Sequence, residues 1–143
     1  YGPHHKKAFY DTLEDVRKAS QVLPRPTVVI HSGGGLQLVY RFRNRITGHE
    51  GRIKYKTLAK VMAAQVHGDP CQNIGHIFRV PLTWNYKEGV PPRKSEILYM
   101  DGRIDYTLQD LEKWCNDHQF KMPSEGKQKA RSIATKKANL NIA

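Results

Sequence analysis

The stretch from Thr27 to Phe42 constrains the fold of this chain most tightly. Thr27-Val28-Val29-Ile30-His31 is a short, β-branched, apolar run, the composition of a buried strand. Ser32-Gly33-Gly34-Gly35 follows as a tight turn. Beyond it the chain alternates: Leu36, Leu38, Tyr40 and Phe42 share one face, and Gln37, Val39 and Arg41 share the other. Together these residues predict a β-hairpin closed by a glycine turn.

Elements on either side are read by the same periodicities. Lys6 to Leu23 predicts an amphipathic helix with Phe9, Leu13, Val16 and Ala19 on one side, stopped by Pro24 and Pro26. Arg43 to Gly51 is polar and loop-like. Ile53 to His67 predicts a second helix presenting Leu58, Val61, Met62 and Gln65 or Val66, with Gly68 as the residue just past its end. His76 to Val80 is expected as a short strand and Leu82 to Arg93 as irregular chain. Glu96 to Met100 is expected as a strand, Asp101-Gly102 as a turn, and Arg103 to Tyr106 as a segment pairing back. Thr107-x-x-Asp110 opens a last helix carrying Leu108, Leu111 and Trp114 or Cys115 on one side. The resulting class is α/β (α+β), with a mixed or antiparallel sheet flanked by helices. Residues 1–120 are read as the folded part and 121–143 as a basic tail or linker, because Lys121, Lys127, Lys129, Arg131, Lys136 and Lys137 face a single acid, Glu125.

Charge narrows the partners. Lys and Arg number 24 against 13 acids, a formal net charge of +11, which draws polyanions at long range and binds them in a salt-dependent way. Nucleic acid is the expected partner. A membrane is not, since no run approaches the roughly 20 apolar residues of a span. Cys71 and Cys115 form no CxxC pattern, which fits a reducing, cytoplasmic compartment.

Two constellations bear chemistry. In Ser32-Gly33-Gly34-Gly35-Leu36-Gln37, glycines bring backbone N–H groups near an anion, Ser32 adds a hydroxyl, and Gln37 adds an amide that donates and accepts. In the second, Gly68-Asp69-Pro70 offers a carboxylate past a helix end. The stretch Arg79-Val80-Pro81-Leu82-Thr83-Trp84-Asn85-Tyr86-Lys87 then interleaves cationic and amide donors with aromatic rings, a pattern suited to phosphate contact and base stacking. Taken singly, each is also a plain glycine turn or an aromatic loop over the core.

In their joint order these pieces resemble the primase-polymerases of the archaeo-eukaryotic primase superfamily, especially the RepB-like branch of plasmids and mobile elements. There a P-x-x-V-V-x-S-G-x-G-x-H-x-Y hairpin precedes a helix, an acidic G-x-D-P-like loop and an R-x-P-G-T-x-N-x-K stretch. The matching pieces here are Pro26 to Tyr40, Gly68-Asp69-Pro70, and Arg79 to Lys87, so the resemblance covers about residues 8–100. It implies an RRM-like catalytic core and DNA-templated nucleotidyl transfer to a 3′-hydroxyl. It also implies Mg or Mn as divalent metal, with Asp69 as the catalytic and metal-binding acid. Ser32, Gly33, Gly35, Gln37, Arg79 and Lys87 would hold the incoming nucleoside triphosphate. Arg41, Arg43, Trp84, Asn85 and Lys87 would meet a single-stranded DNA template. A helicase, or the remainder of the same replication protein, is the implied protein partner.

Three departures accompany the match. Gln37 stands where the family has histidine, and Leu82 where it has glycine. The family's first motif, a strand-borne pair of acids upstream of the first helix, is missing, because Asp11, Glu14 and Asp15 fall on the predicted helix. The chain is therefore expected to be part of a larger protein. A non-catalytic, basic nucleic-acid-binding domain of a replication protein is the alternative, and an assembly subunit with a basic docking tail is a third reading. The adjacent His4 and His5 lack the His-hydrophobe-His spacing of a replication nickase.

Overall fold

The structure, a computed structural model, describes residues 12–69, 71 and 75–120, with Lys87 and Val90 described by their backbone alone. Among these residues it is a small mixed α+β fold with elements in the order α1 (Leu13–Ser20), β1 (Val28–His31), β2 (Leu36–Val39), α2 (Gly48–Gln65), β3 (Trp84–Lys87), β4 (Val90–Lys94), β5 (Glu96–Met100) and α3 (Leu108–Asp117). The tail from Lys121 onward, Phe9, and the histidines at 4 and 5 lie outside the described residues.

The hairpin read from Thr27 to Phe42 is present. Strands β1 and β2 pair antiparallel from Val28↔Val39 to His31↔Leu36, and the turn closes with Ser32 N–H donating to Gly35 O at 2.9 Å. Strand β5 pairs antiparallel on the other side of β1, with an irregularity between Val29 and Ile30. The three-stranded sheet therefore has the order β2-β1-β5, and β3 and β4 form a separate two-stranded sheet.

As the alternation requires, Leu38, Tyr40 and Phe42 turn together onto one core. That core is built from Leu23, Leu58, Val61, Met62, Leu111 and Cys115. Leu58, Val61 and Met62 lie at i, i+3 and i+4 on α2, so they occupy one helix face. Leu111 and Cys115, four apart on α3, meet them there. Thr27 fastens the sheet to its surroundings. It is buried, its hydroxyl donates to Ile104 O at 3.0 Å, and the same oxygen accepts from Arg41 N–H at 3.0 Å. Two tyrosines hold the preceding linker: the Tyr40 hydroxyl donates to Pro24 O at 2.9 Å and the Tyr106 hydroxyl to Arg25 O at 2.7 Å. Burial pushes the Tyr40 phenol well above its ordinary pKa, so it stays a donor.

Several boundaries differ from those read off the sequence. Helix α1 starts at Leu13, not Lys6, because Thr12 is extended and forms a reciprocal capping box with Asp15. Helix α2 starts at Gly48, inside the stretch read as loop, with Thr47 at the cap position and Glu50 in the first turn. Its polar residues simply face solvent. At its other end the left-handed residue is His67 (φ 48°) and not Gly68. Gly68 N–H instead reaches back to Ala63 O at 2.8 Å, the Schellman arrangement. Residues 76–80 form no strand. The stretch read as irregular folds into β3 and β4 around a turn in which Gly89 takes φ 75°. Tyr106 pairs in parallel with Phe42, extending β2, rather than folding back on β5. The capping box at Thr107 and Asp110 is present as read, with N–H···O distances of 2.7 and 3.1 Å.

Candidate functional site

The glycine turn and the β3–β4 hairpin are in close contact. Gly33 has φ 86°, a conformation that disfavours any side chain. A Cβ there would stand 3.0 Å from Asn85 Cβ and 3.3 Å from Arg93 Cβ and Arg93 O. Asn85 Nδ2 donates to Ser32 O at 3.1 Å, joining residues 53 apart in the chain. The approach is possible because Gly33 has no side chain and because Asn85 alternates inward on β3 while its neighbours point out.

A cleft of about 1370 Å³ opens beside this contact. Its lining includes Ser32, Gly33, Gly35, Gln37, Asp69, Arg79 and Asn85. The Ser32 hydroxyl donates to Gly35 O at 3.1 Å, so its single O–H is already used within the turn. Gln37 Oε1 is buried without a hydrogen-bond partner among the described residues. That leaves a polar atom whose desolvation is uncompensated. Gly35 is less constrained than Gly33, since a Cβ there would meet open space. Arg79 is exposed and its guanidinium donates to Trp84 O at 3.1 Å.

Three further arginines line the cleft that sequence reading did not single out: Arg45, Arg52 and Arg93. With Arg79 they face one carboxylate, that of Asp69, so among the described residues the cleft is strongly cationic. Arg52 carried a signal, since it precedes Tyr55 and Ala59 at helical spacing and all three line the cleft. Beside Asp69, burial and the neighbouring carboxylate push the Cys71 thiol up, which keeps it a protonated thiol at neutral pH.

The remaining residues expected at a site fall elsewhere. Arg41 and Arg43 do not line the cleft. Arg43 donates from Nε and Nη2 to Asp105 Oδ1 at 3.1 and 2.9 Å, and Arg41 donates to Gly102 O at 2.6 Å and Asp105 Oδ2 at 3.4 Å. Both are committed to holding the 101–105 turn against β2. Trp84 points away from the cleft and is 50% exposed. Lys87 lies on β3 by its backbone.

No group of three His, Cys, Asp or Glu side chains able to hold an ion exists among the described residues. The described residues therefore do not make up a Mg or Mn site by themselves. Nor is any described helix long and apolar enough to cross a membrane.

Leu82 has an unusual backbone. It takes φ 67°, a left-handed conformation that costs a branched L-residue about 1–2 kcal/mol. Compared with known protein families, curated proteins and solved structures, the chain matches no family model, no curated protein and no solved structure.

Proposed function

We propose that this chain contributes the nucleotide- and DNA-binding part of a DNA-templated nucleotidyltransferase, a primase-polymerase of the archaeo-eukaryotic superfamily. The observation that carries this reading is the contact between Ser32-Gly33 and Asn85-Arg93 at the edge of a cationic cleft. Two segments matched to the family pattern meet there. The left-handed Leu82, at the pattern's glycine, adds support. In this reading the polyphosphate of an incoming nucleotide sits between the glycine turn and Arg79, with Arg45, Arg52 and Arg93 drawing it in. The Gln37 Nε2 amide donates to a phosphate oxygen. Asp69 supplies one carboxylate, and the metal this chemistry uses needs a further acid beside it. The reaction runs with the single-stranded template entering along the hairpin. A second reading, nucleic-acid binding without chemistry, is favoured by the net charge of +11.

Two measurements test the proposal. The first is incorporation of labelled nucleotides on a single-stranded DNA template with Mg or Mn. Because the reaction needs acids that this chain does not carry, template-directed product is expected from a longer protein with a strand-borne acid pair ahead of residue 1, and Asp69→Ala in it should abolish synthesis while its circular dichroism stays unchanged. Normal synthesis by that variant removes Asp69 from the mechanism. The second is calorimetric titration with a nucleoside triphosphate. Gln37→Ala is expected to weaken binding about tenfold, the loss of one hydrogen bond to a charged group. Nucleic-acid binding with neither triphosphate binding nor incorporation leaves the non-catalytic reading.

A further inference from the structure

On the outward face of the β3–β4 hairpin, Trp84, Tyr86 and Lys94 do not line the cleft, while Arg79 lines it and also reaches Trp84. Trp84 and Asn85 pair in step with Lys94 and Arg93, and the register shifts beyond Asn85, where β4 carries the extra residue. Trp84 and Tyr86, two apart on β3, both face solvent while Asn85 turns inward to Ser32. The two aromatic residues are 50% and 74% exposed. They stand about 6.7 Å apart along the strand, room for each ring to take its own base from an unstacked strand. Lys94 pairs directly across from Trp84, which puts an ammonium on the same face. The Arg79 guanidinium is anchored on Trp84 O at 3.1 Å. Two rings edged by two cations on a chain of net charge +11 match the chemistry of a nucleic-acid strand: anionic backbone, flat apolar bases.

The other strand of the hairpin argues against a protein strand as the occupant. Pro91 and Pro92 lie in β4, and proline has no N–H to give to an added strand. Their fixed φ also stiffens the hairpin, so the aromatic face is held in place before anything binds.

We propose that Trp84, Tyr86 and Lys94 form a stacking platform for single-stranded nucleic acid. Neighbouring bases lie on the two rings, and the intervening phosphates run past Lys94 and Arg79. The platform rests on the nucleic-acid reading given above but is independent of nucleotidyl transfer, because it needs neither triphosphate nor metal.

The test uses the full chain, without divalent metal or nucleotide, and a fluorescently labelled twelve-nucleotide oligothymidylate. Anisotropy titrations should show Trp84→Ala and Tyr86→Ala each weakening binding about 5- to 150-fold. Trp84→Phe should stay within a few-fold of the original. Lys94→Gln should make the slope of log affinity against log salt shallower by about 0.7. An abasic oligomer of equal charge separates stacking from charge. The original chain should bind it more weakly than oligothymidylate, and a Trp84→Ala/Tyr86→Ala double variant should bind both alike. Unchanged affinity in the alanine variants overturns the platform, as does equal binding of both oligomers by the original chain. So does a phenylalanine variant as weak as alanine. Failure of primer synthesis leaves these results untouched, so the two proposals fail separately.

Discussion

The α2–α3 layer and the β3–β4 hairpin use similar side chains in opposite ways. Under the sheet, Leu58, Met62, Leu111 and Cys115 are closed from solvent, Leu58 with 1% of its surface left exposed. Burial of such a side chain contributes roughly 1.5–3 kcal/mol. Along residues 77–86, by contrast, Ile77, Phe78, Val80, Leu82, Trp84 and Tyr86 all stand in solvent, Ile77 at 91%. The first region holds the molecule together. The second is held in place by a few specific contacts, chiefly Gly33 against Asn85 and the Arg79 link to Trp84, and leaves its apolar surface free for a partner. Apolar content alone therefore does not say where this fold is stable.

Substitutions can break or sharpen that contrast. The largest effect is expected from Leu58→Ala, which should cost about 2–5 kcal/mol, read as a lower midpoint in urea unfolding followed by circular dichroism. A negligible change would show that the helical layer is not the stabilising one. Gly33→Ala should cost about 1–3 kcal/mol through strain at positive φ and loosen the hairpin selectively. Hydrogen exchange should quicken in β3 and β4 while α2 and α3 keep their protection. Uniform quickening would mean that the hairpin and the core open as one unit. Leu82→Gly is expected to act in the other direction. It relieves the left-handed leucine but enlarges the unfolded ensemble, for a net gain of about 0.5–1 kcal/mol and a melting temperature higher by a few degrees. A lower melting temperature would show that the leucine is not strained.

The smallest effect concerns acid. The Thr107 backbone N–H and hydroxyl beside Asp110 hold its carboxyl below the usual aspartate range. A depressed folded pKa contributes stability above the unfolded value, about 3.9, and that contribution is lost as pH falls through the folded one. Between pH 4 and 2 the helix signal should therefore weaken more in the original chain than in Asp110→Asn. The Asn85–Ser32 and Arg79–Trp84 bonds of the hairpin use no carboxylate and should not follow. Identical acid curves would remove Asp110 from the cap.

What was legible in the sequence follows from the range of the forces involved. The β1–β2 hairpin could be read because β-branched alternation and a glycine turn are local. The capping box of α3 is local too. The β3–β4 hairpin was hidden because its aromatic residues face outward and Pro91-Pro92 looks like a strand breaker, whereas here the prolines sit at a register shift on an edge. Arg41 and Arg43 looked free for phosphate because their partner, Asp105, is more than 60 residues away. Arg45, Arg52 and Arg93 share the cleft through tertiary placement that spacing does not reveal. That the glycine turn meets Asn85 was suggested only by the order of motifs, since the Ser32–Asn85 bond spans 53 residues.

The central position of β1 has a consequence for synthesis on the ribosome. Its second partner, β5, and the Ile104 carbonyl that takes the Thr27 hydroxyl lie far downstream, 77 residues separating the bonded pair. At about 5–20 residues per second, a nascent chain holds an incomplete sheet for roughly 4–15 s. Throughout that interval one flank of Val28–His31 is open to other chains. Codon usage and chaperone access across this window should therefore govern how much of the protein matures correctly.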